Sequence, residues 1–170
     1  MKQLITTFNI LLLAALSSSF AFAEDKPAEE WLFVHTAEEA QVINNTTIVL
    51  PVKRDIFAFT DRPYRKHAYM TGEQFASLWA KAGNNGFKTD PPNAVLTWVD
   101  EDDVKEAEVV ITGASIDGNS IIYTHKYSAT IPSGVLKAVS VFVDYMAPGT
   151  EIWLRNGQTM PITTAQTSLK

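Results

Sequence analysis

The sequence predicts a mainly β fold, an antiparallel β-sandwich or open barrel of about eight or nine strands with one helix. Short segments rich in β-branched and aromatic residues recur at near-regular spacing, and turn-forming residues and prolines separate them. A single segment has helical periodicity. The alternative is an α+β fold with the helix packed on one sheet. Several strands are apolar on both sides, which favours an arrangement that covers both faces.

The N-terminus has the features of an export signal. Lys2 precedes an apolar run at 10–16, and the small residues of Ala21-Phe22-Ala23 predict cleavage before Glu24. The run is too short for a membrane span, so we expect a secreted or periplasmic protein without a transmembrane segment. The predicted organisation is a signal peptide at 1–23, a disordered lead-in at 24–30, a single β-rich domain at 31–162 and a frayed tail at 163–170.

Composition excludes several function classes. The 170 residues carry a formal net charge of −5, and this acidity argues against nucleic acid as a partner. Cysteine is absent, which excludes disulfides, a thiol nucleophile, thiolate metal sites and a lipid anchor at the cleavage site. The sequence also has no loop for a phosphate or dinucleotide, so no cofactor is expected.

The first half of the domain contains four strand signals. Alternation over 31–36 places Trp31, Phe33 and His35 on one face. Residues 37–43 could be helical, but we favour a strand that turns at Asn44-Asn45, because asparagine tolerates positive φ. The remaining strands are predicted at 46–50 and 56–60.

The helix has the strongest local signals. Thr71 and Gln74 form a capping box, and Met70 and Phe75 stand at the positions of a hydrophobic staple. Apolar residues then follow at helical spacing, and Gly83 suits a left-handed cap. The predicted helix runs from about Gly72 to Ala82. Its apolar stripe consists of Phe75, Leu78, Trp79 and Ala82.

The second half predicts four strands and a closing hairpin. Proline pairs and acidic or glycine-containing turns separate the segments. Asn156-Gly157 is a strong hairpin signal, and Pro161 confines the last strand to a sheet edge. The predicted strands are 94–99, 105–112, 121–130, 138–146, 152–154 and 159–160. Alternation in the second of these directs Ala107, Val109 and Ile111 inward.

Three segments together resemble a known pattern. Phe59-Thr60-Asp61-Arg62-Pro63-Tyr64-Arg65, the helix over 75–79 and Asp90-Pro91-Pro92-Asn93-Ala94 occur in that order. They resemble a group of small secreted bacterial proteins with a Phe-Ser/Thr-Asp-Arg-Pro-x-Arg core, a following helix and an Asp-Pro-Pro-Asn-Ala turn. The resemblance covers roughly Leu32 to Asp144. It implies one folded unit and carries no activity.

The turn before the helix is the main candidate site. It concentrates basic groups in an acidic chain, and arginine forks near a helix N-terminus can hold phosphate, sulfate or carboxylate. In the structural alternative, Asp61 bonds turn amides and pairs with Arg62 or Arg65. The candidate ligand-binding residues are Asp61, Arg62, Tyr64, Arg65, His67, Asp90 and Asn93.

Other chemistry has weaker signals. His35, His67 and His125 could form a zinc site only if the fold brought them together, and no pair has ligand spacing. The acidic run at 100–103 lacks the spaced ligands and glycine of a calcium loop. No serine lies in a Gly-x-Ser-x-Gly elbow. We therefore predict no metal site.

These observations favour a non-enzymatic binding domain. The expected partner is a small anionic or polar ligand, or an envelope component, held by the 61–67 loop and the 90–93 turn. One alternative is a hydrolase of an envelope or extracellular polymer, with Asp61 or Asp90 as acid or base and the arginines stabilising an oxyanion. Another is a purely structural or interaction module.

Overall fold

The computed structural model describes residues 29–80, 86–126, 131–144, 151–153 and 159–161. Eight antiparallel strands form one sheet, two more form a hairpin, and one short helix follows the fourth strand, which confirms the predicted fold class. The elements are β1 (Trp31–Asn44), β2 (Thr47–Pro51), β3 (Ile56–Thr60), β4 (His67–Met70), α1 (Gly72–Ala76) continued by a 3-10 turn (Ser77–Trp79), β5 (Asn93–Asp100), β6 (Asp103–Asp117), β7 (Ser120–His125), β8 (Gly134–Val143), β9 (Glu151–Trp153) and β10 (Thr159–Pro161).

The large sheet curls back on itself at β1. The strand order is β2-β7-β6-β5-β8-β1-β3-β4, and β2 also pairs with β1, so six strands form a ring from which β3 and β4 extend. One edge of β1 pairs with β8. The other edge pairs with β3 over Trp31–Val34 and with β2 from Gln41 onward. Between these two stretches no described strand pairs with that edge of β1, and the ring is therefore an irregular, open barrel.

The inward face of β1 and β8 changes at Glu38 and Ala138. Buried positions on β1 are odd-numbered up to His35 and even-numbered from Ala40. Strand β5 advances two residues from Thr97 to Val99. Over the same stretch its neighbour β8 and the next strand, β1, each advance three residues. Ala138 sits at this step with φ 49°, a left-handed conformation that is uncommon for a residue other than glycine. The extra residue on each strand keeps apolar side chains directed inward on both sides of the step.

The face reversal explains the ambiguous pattern at 37–43. A regular strand would keep one parity, whereas here the inward set moves from His35 to Ala40 and Val42. The prediction of a strand over these residues is confirmed, because β1 runs unbroken to Asn44 and turns through Asn45 and Thr46 into β2.

The helix closes the core with aromatic side chains. The capping box is confirmed: Thr71 Oγ1 accepts from the Gln74 amide at 3.2 Å, and Gln74 Oε1 accepts from the Thr71 amide at 2.9 Å. The Phe75 ring lies 5.4 Å from that of Phe33 and 5.3 Å from that of Trp79. Both rings of the helix are buried, as its apolar stripe predicted.

The helix is shorter than predicted. Its α-helical part ends at Ala76 and tightens into the 3-10 turn, as final turns commonly do. Trp79 lies in that turn, and its indole N–H donates to the carbonyl of Ile111 at 3.0 Å. The predicted end at Ala82 and the Gly83 cap lie outside the described residues.

Strand β4 has no counterpart in the sequence prediction. It has four residues, directly follows the charged turn and pairs with β3 through Phe59↔His67 to Ile56↔Met70. The segment predicted to lead from strand to helix is therefore a β-hairpin. Local sequence hides it because a four-residue alternation is too short to distinguish from a loop.

The other strands match the prediction with shifted ends. Strand β6 extends beyond the predicted 105–112 in both directions, and β8 begins at Gly134 rather than at 138. The predicted inward residues Ala107, Val109 and Ile111 of β6 are buried. The closing hairpin is confirmed by the pairing of β9 with β10. Three predicted features lie outside the described residues. They are the end of the strand predicted at 121–130, the end of the strand predicted at 138–146, and the Asn156-Gly157 turn.

Candidate functional site

The predicted site residues 61–67 form the turn of the β3–β4 hairpin. The Asp61 carbonyl accepts from the amides of Tyr64 and Arg65, each at 3.1 Å, and its carboxylate accepts from the Arg62 amide at 2.6 Å. The Arg62–Pro63 bond is cis and Arg65 has φ 51°. Thr60 closes the turn, because its amide donates to the Lys66 carbonyl at 2.9 Å and its hydroxyl accepts from the Lys66 amide at 2.8 Å. Asp61 therefore acts on the turn itself.

Lys66 is tied to the body of the domain. Its ammonium lies 2.7 Å from Oε2 of Glu29, while Oε1 of the same carboxylate accepts from the Trp31 indole at 2.8 Å. Glu29 falls in the predicted lead-in, yet only 3% of it is exposed. The Lys66 ammonium also lies 5.8 Å from the centre of the Tyr64 ring. This lysine serves the architecture of the hairpin.

Arg62 and Arg65 are exposed and, in the described part of the chain, form no ion pair or side-chain hydrogen bond. The alternative in which one of them clamps Asp61 is not what the structure contains. An exposed guanidinium keeps five donors in a fixed fork that matches carboxylate, sulfate and phosphate oxygens. Two such forks on one turn can hold an anion.

The outer face of the hairpin carries an aromatic cluster. Phe57 lies 5.6 Å from Phe59 with nearly parallel rings, 5.3 Å from Tyr69 and 6.4 Å from His67 between ring centres. His67 is exposed, and Tyr69 is 53% exposed. Large exposed aromatic groups beside free arginines are typical of binding surfaces. The sequence predicted His67 as a site residue but not its aromatic neighbours Phe57, Phe59 and Tyr69. These residues come together only through the pairing of β3 with β4, which a local pattern does not show.

Asp90 and Asn93 lie apart from this hairpin. The Asp90 amide donates to the Gly86 carbonyl at 3.0 Å, and Asn93 begins β5, where its carbonyl accepts from the Asp144 amide at 2.9 Å. The strand order β3-β1-β8-β5 separates the two turns by three strand spacings, about 14 Å along the sheet. Asn93 instead lines a cleft of about 440 Å³ with Glu108, Lys126 and Asp144 among its polar neighbours.

A larger cleft lies where β2 and β3 separate along β1. Its volume is about 780 Å³, and its charged lining side chains are the basic Lys53, Arg54 and Lys137 and the acidic Glu38 and Glu39. Lys53 pairs with Glu38 at 2.6 Å. This hydrogen bond, the charge of Lys53 and the charge of Arg54 lower the pKa of the Glu38 carboxyl. Sequence reasoning missed this cleft because its walls come from distant segments of the chain.

The buried histidines do not form a metal site. His35 and His125 point into the core, whereas His67 is exposed on the outer face. Among the described residues, no group of three or more histidine, aspartate or glutamate side chains could hold a metal ion. His125 Nδ1 donates to the Lys126 carbonyl at 2.7 Å, and within the same ranges its Nε2 has no partner.

His35 forms a buried polar pair with Tyr123. Its Nδ1 lies 2.8 Å from the tyrosine hydroxyl and its Nε2 lies 3.1 Å from the carbonyl of Pro51. A carbonyl oxygen only accepts, so Nε2 carries the proton and Nδ1 accepts from the hydroxyl. Burial lowers the pKa of His35 to about 4, against the opposing effect of the Pro51 carbonyl. Burial also raises the pKa of the Tyr123 hydroxyl, which stays protonated.

Among the described residues, no helix combines the length and the apolar composition that a membrane span requires. Comparison of the chain with protein-family models, curated proteins and solved structures returns no match.

Proposed function

We propose that this protein is an exported, non-enzymatic binding domain whose β3–β4 hairpin holds an anionic ligand. The observation that carries the proposal is the pair of unengaged arginines, Arg62 and Arg65, on a turn that is already held by other groups. Because Asp61 and Lys66 maintain the turn, the two guanidiniums are available to a ligand. The aromatic cluster beside them adds an apolar surface on which a ligand can stack.

The hydrolase alternative has less support. It uses Asp61 or Asp90 as acid or base beside the arginines, yet Asp61 bonds its own turn and Asp90 belongs to a turn about 14 Å away along the sheet. Paired catalytic carboxylates act on one bond, and in glycoside hydrolases they stand about 5–10 Å apart. The purely structural alternative would require the exposed arginines to serve the fold, and their side chains contact none of the described acidic groups as ion pairs.

Replacing either arginine with lysine tests the proposal. Lysine keeps the charge but loses the planar fork, so binding of sulfate, phosphate or galacturonate is expected to weaken by about 3- to 10-fold. Unfolding free energy should stay within about 0.5 kcal/mol of wild type, since both side chains are exposed. Isothermal titration and thermal melts with each anion at constant ionic strength measure the two effects.

Lys105→Gln tests whether anion binding depends only on the net charge of the protein. The Lys105 ammonium pairs with Asp103 at 3.0 Å at the start of β6, away from the hairpin. This variant should bind the anions like wild type. Early melting of Arg62→Lys and Arg65→Lys, together with no stabilisation of wild type by any anion, would assign both arginines to the architecture and refute the proposal.

A further inference from the structure

The aromatic cluster belongs to a longer row on the outer face of the sheet. Cross-strand pairing aligns one outward residue from each of five neighbouring strands, and their sequence neighbours point into the core. The strand spacing makes the row about 19 Å wide. Phe142, near its centre, is 41% exposed. This row, called the aromatic row below, consists of the aromatic residues Tyr69, Phe57 and Phe142 and the valines Val34 and Val95.

Cationic groups stand at both ends of the strands that carry this row. Strand β3 begins after Arg54, in the wall of the 780 Å³ cleft, and ends at the turn with Arg62 and Arg65. The six residue-to-residue steps from Asp55 to Asp61 span about 20 Å in extended conformation. Thr36 and Ser140, which pair across β1 and β8, line the cleft on the side of the aromatic row. Hairpin turn, aromatic row and cleft therefore succeed one another along one face.

The cleft carries three cationic side chains and two carboxylates, those of Glu38 and Glu39. Within the described residues, Arg54 and Lys137 form no hydrogen bond or ion pair, although the charge of Arg54 acts on Glu38. Lys53 forms an ion pair with Glu38. The β1–β8 pairing skips Glu38 and Ala138 at this point, and Ala138 keeps its left-handed conformation in the cleft wall. Backbone strain of this kind costs free energy and is concentrated at binding sites.

We infer that this face binds an extended acidic polysaccharide, which runs from the arginine turn across the aromatic row to the cleft. The inference rests on the proposed function of the hairpin and names its ligand class. Sugar rings present apolar C–H faces that stack on Phe57 and Tyr69, while carboxylates or sulfates meet the cations at either end. A nucleic acid fits less well, because the export signal predicted at 1–23 would bring the chain to envelope and extracellular polysaccharides.

Length-dependent binding tests the inference. The probes are a galacturonate disaccharide and long polygalacturonate, titrated calorimetrically at constant ionic strength. Arg54→Gln and Lys137→Gln should each weaken polymer binding by about 2- to 5-fold. They should leave binding of the disaccharide at the hairpin unchanged, because a disaccharide held there is too short to reach the cleft. Phe142→Ser should weaken polymer binding alone. Lys105→Gln should change neither, and thermal melts of every variant verify folding.

The outcomes separate this inference from the proposed function. Polymer binding that responds to Arg62→Lys and Arg65→Lys but not to the cleft variants would overturn the extended path and leave the hairpin site standing. Failure of both probes to bind would overturn the path and the ligand class. If sulfate and phosphate also failed to bind or stabilise the wild type, the hairpin site would be removed as well. Tighter binding of single-stranded DNA than of polygalacturonate would overturn the polysaccharide as the ligand.

Discussion

Mild acid is expected to destabilise the domain through His35. The imidazole is 1% exposed, its Nδ1 accepts from the Tyr123 hydroxyl and its Nε2 donates to the Pro51 carbonyl. A second proton would have to enter at Nδ1, where it would break the bond from Tyr123 and place a charge in the core. Burial is the main reason that the pKa of His35 falls to about 4.

The size of the effect follows from the two protonation equilibria. In the unfolded chain the pKa is near its ordinary value of 6.5, and in the folded protein it is about 4. Between these values the unfolded state binds more protons, so the free energy of unfolding decreases as the pH falls. The contribution is fully present above pH 6.5 and is lost progressively down to pH 4. The depression corresponds to about 3 kcal/mol, a large fraction of the stability of one domain.

Urea unfolding of wild type and His35→Gln across this pH range measures the effect. Glutamine retains an N–H donor for the Pro51 carbonyl but cannot titrate. The wild type should lose about 3 kcal/mol more than the variant on acidification, and His67 and His125 are present in both proteins, so their contributions cancel. Parallel curves for the two proteins would refute the account of His35 as a neutral, buried group.

Two further predictions concern the core and export. Trp79→Ala should cost about 3–5 kcal/mol in urea unfolding, because the indole packs 4.7 Å from Phe87 and donates to Ile111, whereas Val104→Ala, at a position 75% exposed, should change stability by about 0.5 kcal/mol or less. A loss as small as that of the control would show that the helix does not depend on this side chain. If the protein is exported, mass analysis of the folded product should give Glu24 as its first residue, and an intact Met1 would contradict export.

Signals carried by a few neighbouring residues were enough to predict most elements. The Thr71–Gln74 capping box located the start of α1, and alternation identified the inward side chains of β6 and separated the two faces of β1. The short strand β4 and the face reversal at Ala138 were missed for a shared reason. Each is defined by a partner strand, and pairing information is absent from a local pattern.

The candidate site was predictable only in part. The arginine turn stood out because basic residues are concentrated there, but its Asp90–Asn93 companion proved to lie three strands away. The cleft around Arg54 and Lys137 had no sequence signal, since tertiary structure alone brings these two residues to one place. The bond between His35 and Tyr123 joins residues 88 positions apart and was hidden for the same reason.

The paired step at Glu38 and Ala138 constrains how this chain can change in length. Removing one residue from β1 there would turn Ala40 and Val42 toward solvent, while β8 still presented Leu136 inward. Removing one residue from β8 alone would cause the converse mismatch. Only a simultaneous change in both strands preserves the alignment, so insertions and deletions at these two sites are expected to be inherited together or not at all.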